Sequence, residues 1–394
     1  MYRTLKYFIG SLIAIIFLFG CAPKSQPPEA QLDIPEHHVT NGYKMLKEEL
    51  WDNALAAFTR ATELDPKYSP AYVGLSLVNA SRNEFDIALK FMEKAGSYAK
   101  DDLQLYNLHI GYIRLYSLGR EKIHKDWIKK AKNHYKKAQN LKPNSSEPDF
   151  YMGIAYKTAY DFQNASACFK RVLDAGNQFI AEADEEYELL QQIERAMPGT
   201  TIGKKIGLLT QISRADTAAL FIEELKIDAL FKKRGVKTFD TSFKGPHQPF
   251  PSGDYVPAPD ALDIDNHVLR LDIESFIQLG IRGLEPIPDH TFQPDKIIKR
   301  AEFAMLLEDI LIKVTGEEHL ATRFIGSESP FPDLRNDLAY FNAAMVCITR
   351  NIMQVKDRTT GEFDPHGTVS GADALLSIRV MKTELAKYVA YNTQ

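Results

Sequence analysis

The order of apolar and polar positions divides the chain into a short opening run and two longer patterns. Phe8 to Phe19 is apolar apart from Gly10 and Ser11, and Arg3 and Lys6 precede it. A bilayer span needs about 20 apolar residues, so this shorter run reads as a targeting segment. Further on, apolar positions recur at helical spacing. Ala54, Phe58, Ala61 and Pro66 lie 4, 3 and 5 apart, and a shift of 34 finds Ala88, Met92 and Ala95. The pattern returns at Ala131, Tyr135, Ala138 and Pro143, and 34 residues on at Ala165, Phe169 and Val172. Gly42 precedes Ala54 by 12 and Gly153 precedes Ala165 by 12, whereas Gly111 precedes Ala131 by 20. This spacing predicts paired helices. Small residues sit where two helices approach, an aromatic fills the space between neighbours, and proline ends the second helix. One pair cannot bury its apolar face alone, so several must stack.

These positions resemble the tetratricopeptide (TPR) pattern. The resemblance covers residues 37–180, about four repeats, and implies an all-α solenoid whose first helices line a concave groove for a protein segment. Carried onto this chain, the frame places Tyr43, Leu46, Leu77, Tyr112, Leu115, Ile154 and Lys157 near that groove. The same side chains could instead pack between repeats. The eight extra residues of the third repeat fall near Ser117–Trp127 and are expected to lengthen a helix or its turn. Lys122, Lys125, Lys129, Lys130, Lys132, Lys136 and Lys137 form a basic run. It reads as a solvated face or as a patch for an acidic partner or anionic polymer.

Beyond residue 180 a different pattern appears. Residues 292–307 read FQPDKIIKRAEFAMLL, with Asp263-Ile-Asp265-Asn-His267 and Leu279-Gly-Ile-Arg-Gly283 upstream. A second copy has Phe331-Pro-Asp333, Phe363-Asp-Pro365 and Val369-Ser-Gly-Ala-Asp373. An earlier, weaker copy ends at Ile212-Ser-Arg-Ala-Asp216, where Ile206 and Leu208 stand for the F-x-P residues. Phe292 to Arg300 and Phe363 to Gly371 are both 8 apart. Ser213 and Ser370 suit helix N-caps, whereas Lys299 does not. Glu302, Asp216 and Asp373 place negative charge in the first turn of each helix. The helix around residues 181–196 would cap the first domain and open the second. Gly235–Leu262 reads as a long surface loop.

These copies resemble S-layer homology (SLH) modules. The resemblance covers residues 181–390 and implies a mostly helical pseudo-trimer of three modules, the first and third degenerate. Its arginines would point into inter-module grooves that hold peptidoglycan or an anionic wall polymer. Arg214, Arg300, Glu302, Asp263 and Asp333 are the candidate ligand residues by position, and Gly371 leaves the third site without its arginine. The alternative is that each arginine pairs with a carboxylate to hold helices together.

The opening run ends in Leu18-Phe19-Gly20-Cys21. This resembles the lipobox of bacterial lipoproteins, which implies a signal peptide over residues 1–21 and acylation of Cys21. An ordinary cleaved signal or an uncleaved anchor are the other readings. Each buried methylene is worth about 0.8 kcal/mol, so several acyl chains would anchor the protein durably. Ala22, not Asp, follows the cysteine, which resembles outer-membrane sorting. Residues 22–36, with four prolines, read as a flexible tether.

Composition changes little in this picture. The formal net charge of -4 over 394 residues gives no reason to expect a nucleic-acid partner. Cys168 and Cys347 have no clustered partners and read as small buried hydrophobes. No G-x-S-x-G, H-E-x-x-H or P-loop motif occurs. Neither an enzyme nor a cofactor nor a metal is expected; His37 and His38 read as solvated. The leading expectation is an outer-membrane lipoprotein facing the periplasm or cell surface, tethering membrane to wall and recruiting a protein through the TPR groove. The runner-up is a lipoprotein assembly factor for a secretion, pilus or outer-membrane complex.

Overall fold

The computed structural model describes residues 25–234 and 261–390, and the chain is mainly α. The expected signal segment, Cys21 and most of the expected long loop lie outside the described residues. Contacts divide the chain into Met1–Glu186 and Tyr187–Gln394, a break that falls inside one helix.

The first unit is built from four helix pairs: α1 (Pro35–Lys47) with α2 (Trp51–Leu64), and α3 (Ser69–Ser81) with α4 (Phe85–Tyr98). Then come α5 (Asp102–Gly119) with α6 (Trp127–Leu141), and α7 (Glu147–Thr158) with α8 (Phe162–Ala175). The repeated residues form its core: Ala54, Phe58, Ala61, Ala88, Met92, Ala95, Ala131, Ala138, Ala165, Phe169 and Val172 are all fully buried. Glycines set the approach within pairs. A Cβ on Gly42 or Gly153 would lie 2.7 Å from the ring of Phe58 or Phe169. Gly111 differs: its Cβ would meet Val73 at 2.5 Å and Met92 at 3.1 Å, both from the preceding pair. The extra residues of the third pair lengthen α5 to 18 residues and add a short 3-10 turn, Arg120–Lys122. On α6, Lys129, Lys130, Lys136 and Lys137 are exposed.

The expected tether is partly fixed. Pro35 and Glu36 already belong to α1. Upstream, the Arg60 guanidinium binds the Asp33 carboxylate, and His38 Nε2 lies 2.7 Å from its Oδ1. The Arg60 hydrogen bond, with help from the Glu29 amide and His38, holds the Asp33 carboxyl well below the usual carboxylate range. His38 is therefore a partner of Asp33 rather than a solvated side chain.

The second unit begins in α9 (Ile180–Ala196) and continues through α10 (Thr201–Gly207), α11 (Arg214–Leu220), a π-turn at Phe221–Leu225 and α12 (Ile227–Arg234). After the undescribed segment come α13 (Arg270–Ile277), α14 (Arg300–Thr315), α15 (Phe341–Thr349) and α16 (Gly371–Ala390). Three matching segments meet at its centre. Ile212, Ile298 and Val369 are buried, the Ile298 amide donates to Ile212 O at 3.1 Å, and the Ile212 amide donates to Val369 O at 3.0 Å. Isolated antiparallel bridges join Ser213 to Ile297 and Lys299 to Thr368. The segments then enter α11, α14 and α16. Ser213 and Asp216 cap α11 reciprocally, and the Asp373 amide donates to Ser370 Oγ at 3.1 Å on α16. At α14 the Glu302 carboxylate accepts the Lys299 amide at 2.8 Å, so this start is better satisfied than Lys299 alone suggested.

Candidate functional site

The five residues expected to hold a wall polymer are all hydrogen-bonded within the frame of the second unit, and Arg300 also lines a cleft. Arg214 is 8% exposed. Its Nε donates to Phe292 O at 2.8 Å, Nη1 to Gly283 O at 3.0 Å and Nη2 to Glu285 O at 2.8 Å. Arg300 is 5% exposed, and its Nε and Nη2 donate to Phe363 O and Gln354 O, both at 2.7 Å. Each guanidinium lies over the phenylalanine ring whose carbonyl it binds, 4.8 Å from Phe292 and 5.0 Å from Phe363. Burial lowers both guanidinium pKa values, yet arginine stays protonated. The helix start of one copy thus grips the F-x-P turn of the next.

Asp263 and Asp333 hold those same turns from the other side. The Phe292 and Gln293 amides donate to Asp263, each at 2.7 Å, and the Phe363 and Asp364 amides donate to Asp333 at 2.9 and 2.6 Å. Gln293 and Asp364 both adopt left-handed backbone, with φ of 57° and 56°. Glu302 serves its own helix start, as described above. At the third position a Cβ on Gly371 would sit 1.7 Å from Ile206 O, and the Gly371 amide donates to Leu209 O at 2.9 Å. Direct backbone contact replaces the arginine latch there, so Gly371 is required by closure.

A cleft of about 890 Å³ opens beside the second latch, among α9, α14, α16 and the loop after α15. Five cations line it (Arg195, Arg300, Lys356, Arg358 and Arg379) against one carboxylate, Asp373. Arg195, Lys356, Arg358 and Arg379 are exposed and, among the described residues, none of the four is in an ion pair. Ser377 and Gln354 add polar groups to the same walls. The loop bends at Asn351, a residue type that tolerates its left-handed φ of 55°. Sequence reasoning missed these four rim cations: they belong to no motif and come from three separate stretches. Unpaired charge of one sign in a concave site attracts and concentrates ligands of the other sign.

In the first unit, α1, α3, α5 and α7 surround a concavity of about 800 Å³. Of the seven expected groove residues, Tyr43 and Leu77 line it, though Leu77 is otherwise core. Leu46 and Leu115 are buried in the apolar core, Tyr112 stacks on His134 at 4.2 Å, and Lys157 pairs with Glu186 at 2.5 Å. Ile154 is half-buried outside the cavity. On α5 the lining residues are Asn107, Ile110, Gly111 and Arg114, one position earlier than the frame predicted. Gly111 had set that frame, but it serves the contact with the preceding pair.

Cys168 and Cys347 are buried, and burial pushes the Cys168 thiol up to about 11. Among the described residues, no group of three or more His, Cys, Asp or Glu is placed to hold a metal ion, and no helix is long and apolar enough to cross a membrane.

No protein-family model matches the chain, and no curated protein matches it. Among solved structures it is similar to the one titled "Functional Characterization of Pseudomonas Aeruginosa pilF". That match has 16% identity and a TM-score of 0.22, covering 42% of this chain and 93% of that one. The four helix pairs are TPR-like on this chain's own geometry.

Proposed function

We propose that this chain is a non-enzymatic envelope lipoprotein that tethers membrane to cell wall. In this reading Cys21 carries the acyl chains, the TPR-like unit recruits a protein, and the second unit, an SLH-like pseudo-trimer, grips peptidoglycan or its attached anionic polymer. The protein would sit in the outer membrane facing the periplasm, or at the cell surface. The observation that carries the reading is the cleft beside Arg300, where four exposed cations lack carboxylate partners among the described residues. The resemblance of the Cys21 segment to a lipobox and of the F-x-P copies to SLH modules supports it. The grip passes mainly to the rim cations, because all three guanidinium nitrogens of Arg214 and two of the three of Arg300 donate to backbone carbonyls.

Sedimentation with wall material tests this. Mature protein should pellet with isolated sacculi that carry their anionic polymer, and less with sacculi stripped of it. Added salt should release it, since exposed charges are screened within about 8 Å at physiological ionic strength. If it stays in the supernatant and instead copurifies with an envelope protein complex, the assembly-factor reading replaces this one.

A further inference from the structure

The solvent face of α6 carries charge of one sign. The helix has five lysines and neither a carboxylate nor an arginine, whereas α2, α4 and α8, which hold the same place in the other pairs, each mix acids with bases. Lys129, Lys130, Lys136 and Lys137 fall on one side of the helix, because seven residues are close to two turns, and all four are exposed. Exposed Asn133 and Asn140 complete this stripe. Among the described residues none of the four lysines is in an ion pair. The carboxylates of α7, which packs on α6, are engaged elsewhere: Glu147 accepts the Tyr106 hydroxyl at 2.8 Å and Asp149 pairs with Arg171 at 2.7 Å. The turn before α6 adds exposed Arg120, Lys122 and Lys125 against Glu121 and Asp126, and Glu121 accepts the Trp127 indole N–H at 2.9 Å. Two residues before Arg120, Leu118 is 44% exposed.

Lysine presents a compact, hydrated point charge on a flexible stem and lacks arginine's fork, so a lysine-only stripe suits a diffuse anionic surface better than a shaped ligand. The chain upstream of α1 says which surface is near. It is docked on α2: the Gln26 amide donates to Glu63 O at 2.7 Å, and Arg60 Nη1 donates to Gln26 Oε1 at 2.9 Å. With Cys21 acylated as proposed above, the stretch from Cys21 to Gln26 spans at most about 18 Å. The first unit is then held close to the bilayer, where basic side chains are drawn to anionic headgroups.

We propose that the α6 face of the first unit lies on the anionic phospholipid headgroups of the anchoring membrane, through Lys129, Lys130, Lys136 and Lys137, with Leu118 at the edge of the contact. The choice of partner rests on the acylation of Cys21, and the face adds a second hold on the membrane beside the acyl chains.

The test is co-sedimentation of the whole mature chain, carrying Cys21→Ser so that no acyl chain contributes, with two kinds of vesicle. One is phosphatidylcholine; the other is phosphatidylcholine and phosphatidylglycerol in equal parts. The chain should pellet with the anionic vesicles, stay in solution with the neutral ones, and be released by added salt. Each lysine near an anionic surface is worth about fivefold in partitioning, so Lys129→Gln/Lys130→Gln/Lys136→Gln/Lys137→Gln should lose at least about a hundredfold. The same four positions changed to Arg should keep the affinity. Circular dichroism checks that both variants fold. The second unit's rim cations are the competing source, so Arg195→Glu/Lys356→Glu/Arg379→Glu should bind the vesicles as the parent does. Equal binding to both vesicles, binding to neither, an undiminished Gln variant, or a loss that follows the rim variant instead overturns the proposal. Fatty-acid labelling of the wild-type chain reads the anchor separately. Labelled Cys21 without vesicle binding overturns this face alone, and vesicle binding through α6 with Cys21 unlabelled upholds the face and overturns the anchor.

Discussion

Arg300→Ala separates a structural latch from a ligand contact. The substitution removes two charge-assisted hydrogen bonds of 2.7 Å from a side chain that is 5% exposed, and its stacking on Phe363. A buried carbonyl left without a donor costs about 1–3 kcal/mol, and a desolvated cation–π contact adds about 1–2 kcal/mol. Gln354 is exposed, so water can reach its carbonyl and the terms will not sum fully. The expected loss is about 3–4 kcal/mol. For a unit of this size each kcal/mol shifts the midpoint by about 2–4 °C, so thermal unfolding should show a drop of about 10 °C. Arg379→Ala, which removes an exposed cation with no ion-pair partner among the described residues, should stay within about 0.5 kcal/mol. If Arg300→Ala lowers stability by less than about 1 kcal/mol in urea titration, the latch assignment is wrong.

Closure at the third position can be tested in the same way. Gly371→Ala should cost more than about 3 kcal/mol or prevent folding, because its Cβ would lie 1.7 Å from a backbone oxygen. In the first unit, Gly74→Ala should cost about 2–3 kcal/mol, since its Cβ would fall 2.2 Å from the Phe58 ring; an unchanged melting curve would refute that packing. Acid should weaken the first unit through His134. Burial first, then the neighbouring His109, Lys137 and Lys130, lowers its pKa from 6.5 to about 4. The unfolded chain therefore takes up a proton that the folded chain refuses between those values, and stability falls as pH drops through that window. After allowance for partial exposure the His134 share is on the order of 1–2 kcal/mol. Thermal unfolding of His134→Phe at pH 7.5 and pH 5 should show a smaller acid loss than the parent, and an equal loss would contradict the assignment.

The first unit was legible because spacings of 3 and 4 put Ala54, Phe58 and Ala61, and their counterparts, on one helical face. Each of those counterparts except Tyr135 is fully buried; Tyr135 instead donates its hydroxyl to Asp149 at 2.8 Å. The groove phase on α5 was not legible, because a glycine looks the same whether it admits its own partner helix or the preceding pair. The latches were half legible. The motif located Arg214 and Arg300 and their turns, but a motif does not say whether a guanidinium faces a ligand or a carbonyl 54 to 78 residues away. The rim cations left no local signal, since only the fold brings Arg195, Lys356, Arg358 and Arg379 to one cleft.

Charge reversal at the rim of that cleft tests the proposed wall grip most directly. Binding of purified anionic wall polymer should be compared between the mature chain and the Arg195→Glu/Lys356→Glu/Arg379→Glu variant, with thermal unfolding measured on both. These side chains are exposed and have no ion-pair partners among the described residues, so the variant should unfold at nearly the same temperature. The account predicts at least a tenfold loss of polymer affinity in the folded variant. Equal affinity of parent and variant for the polymer would contradict it.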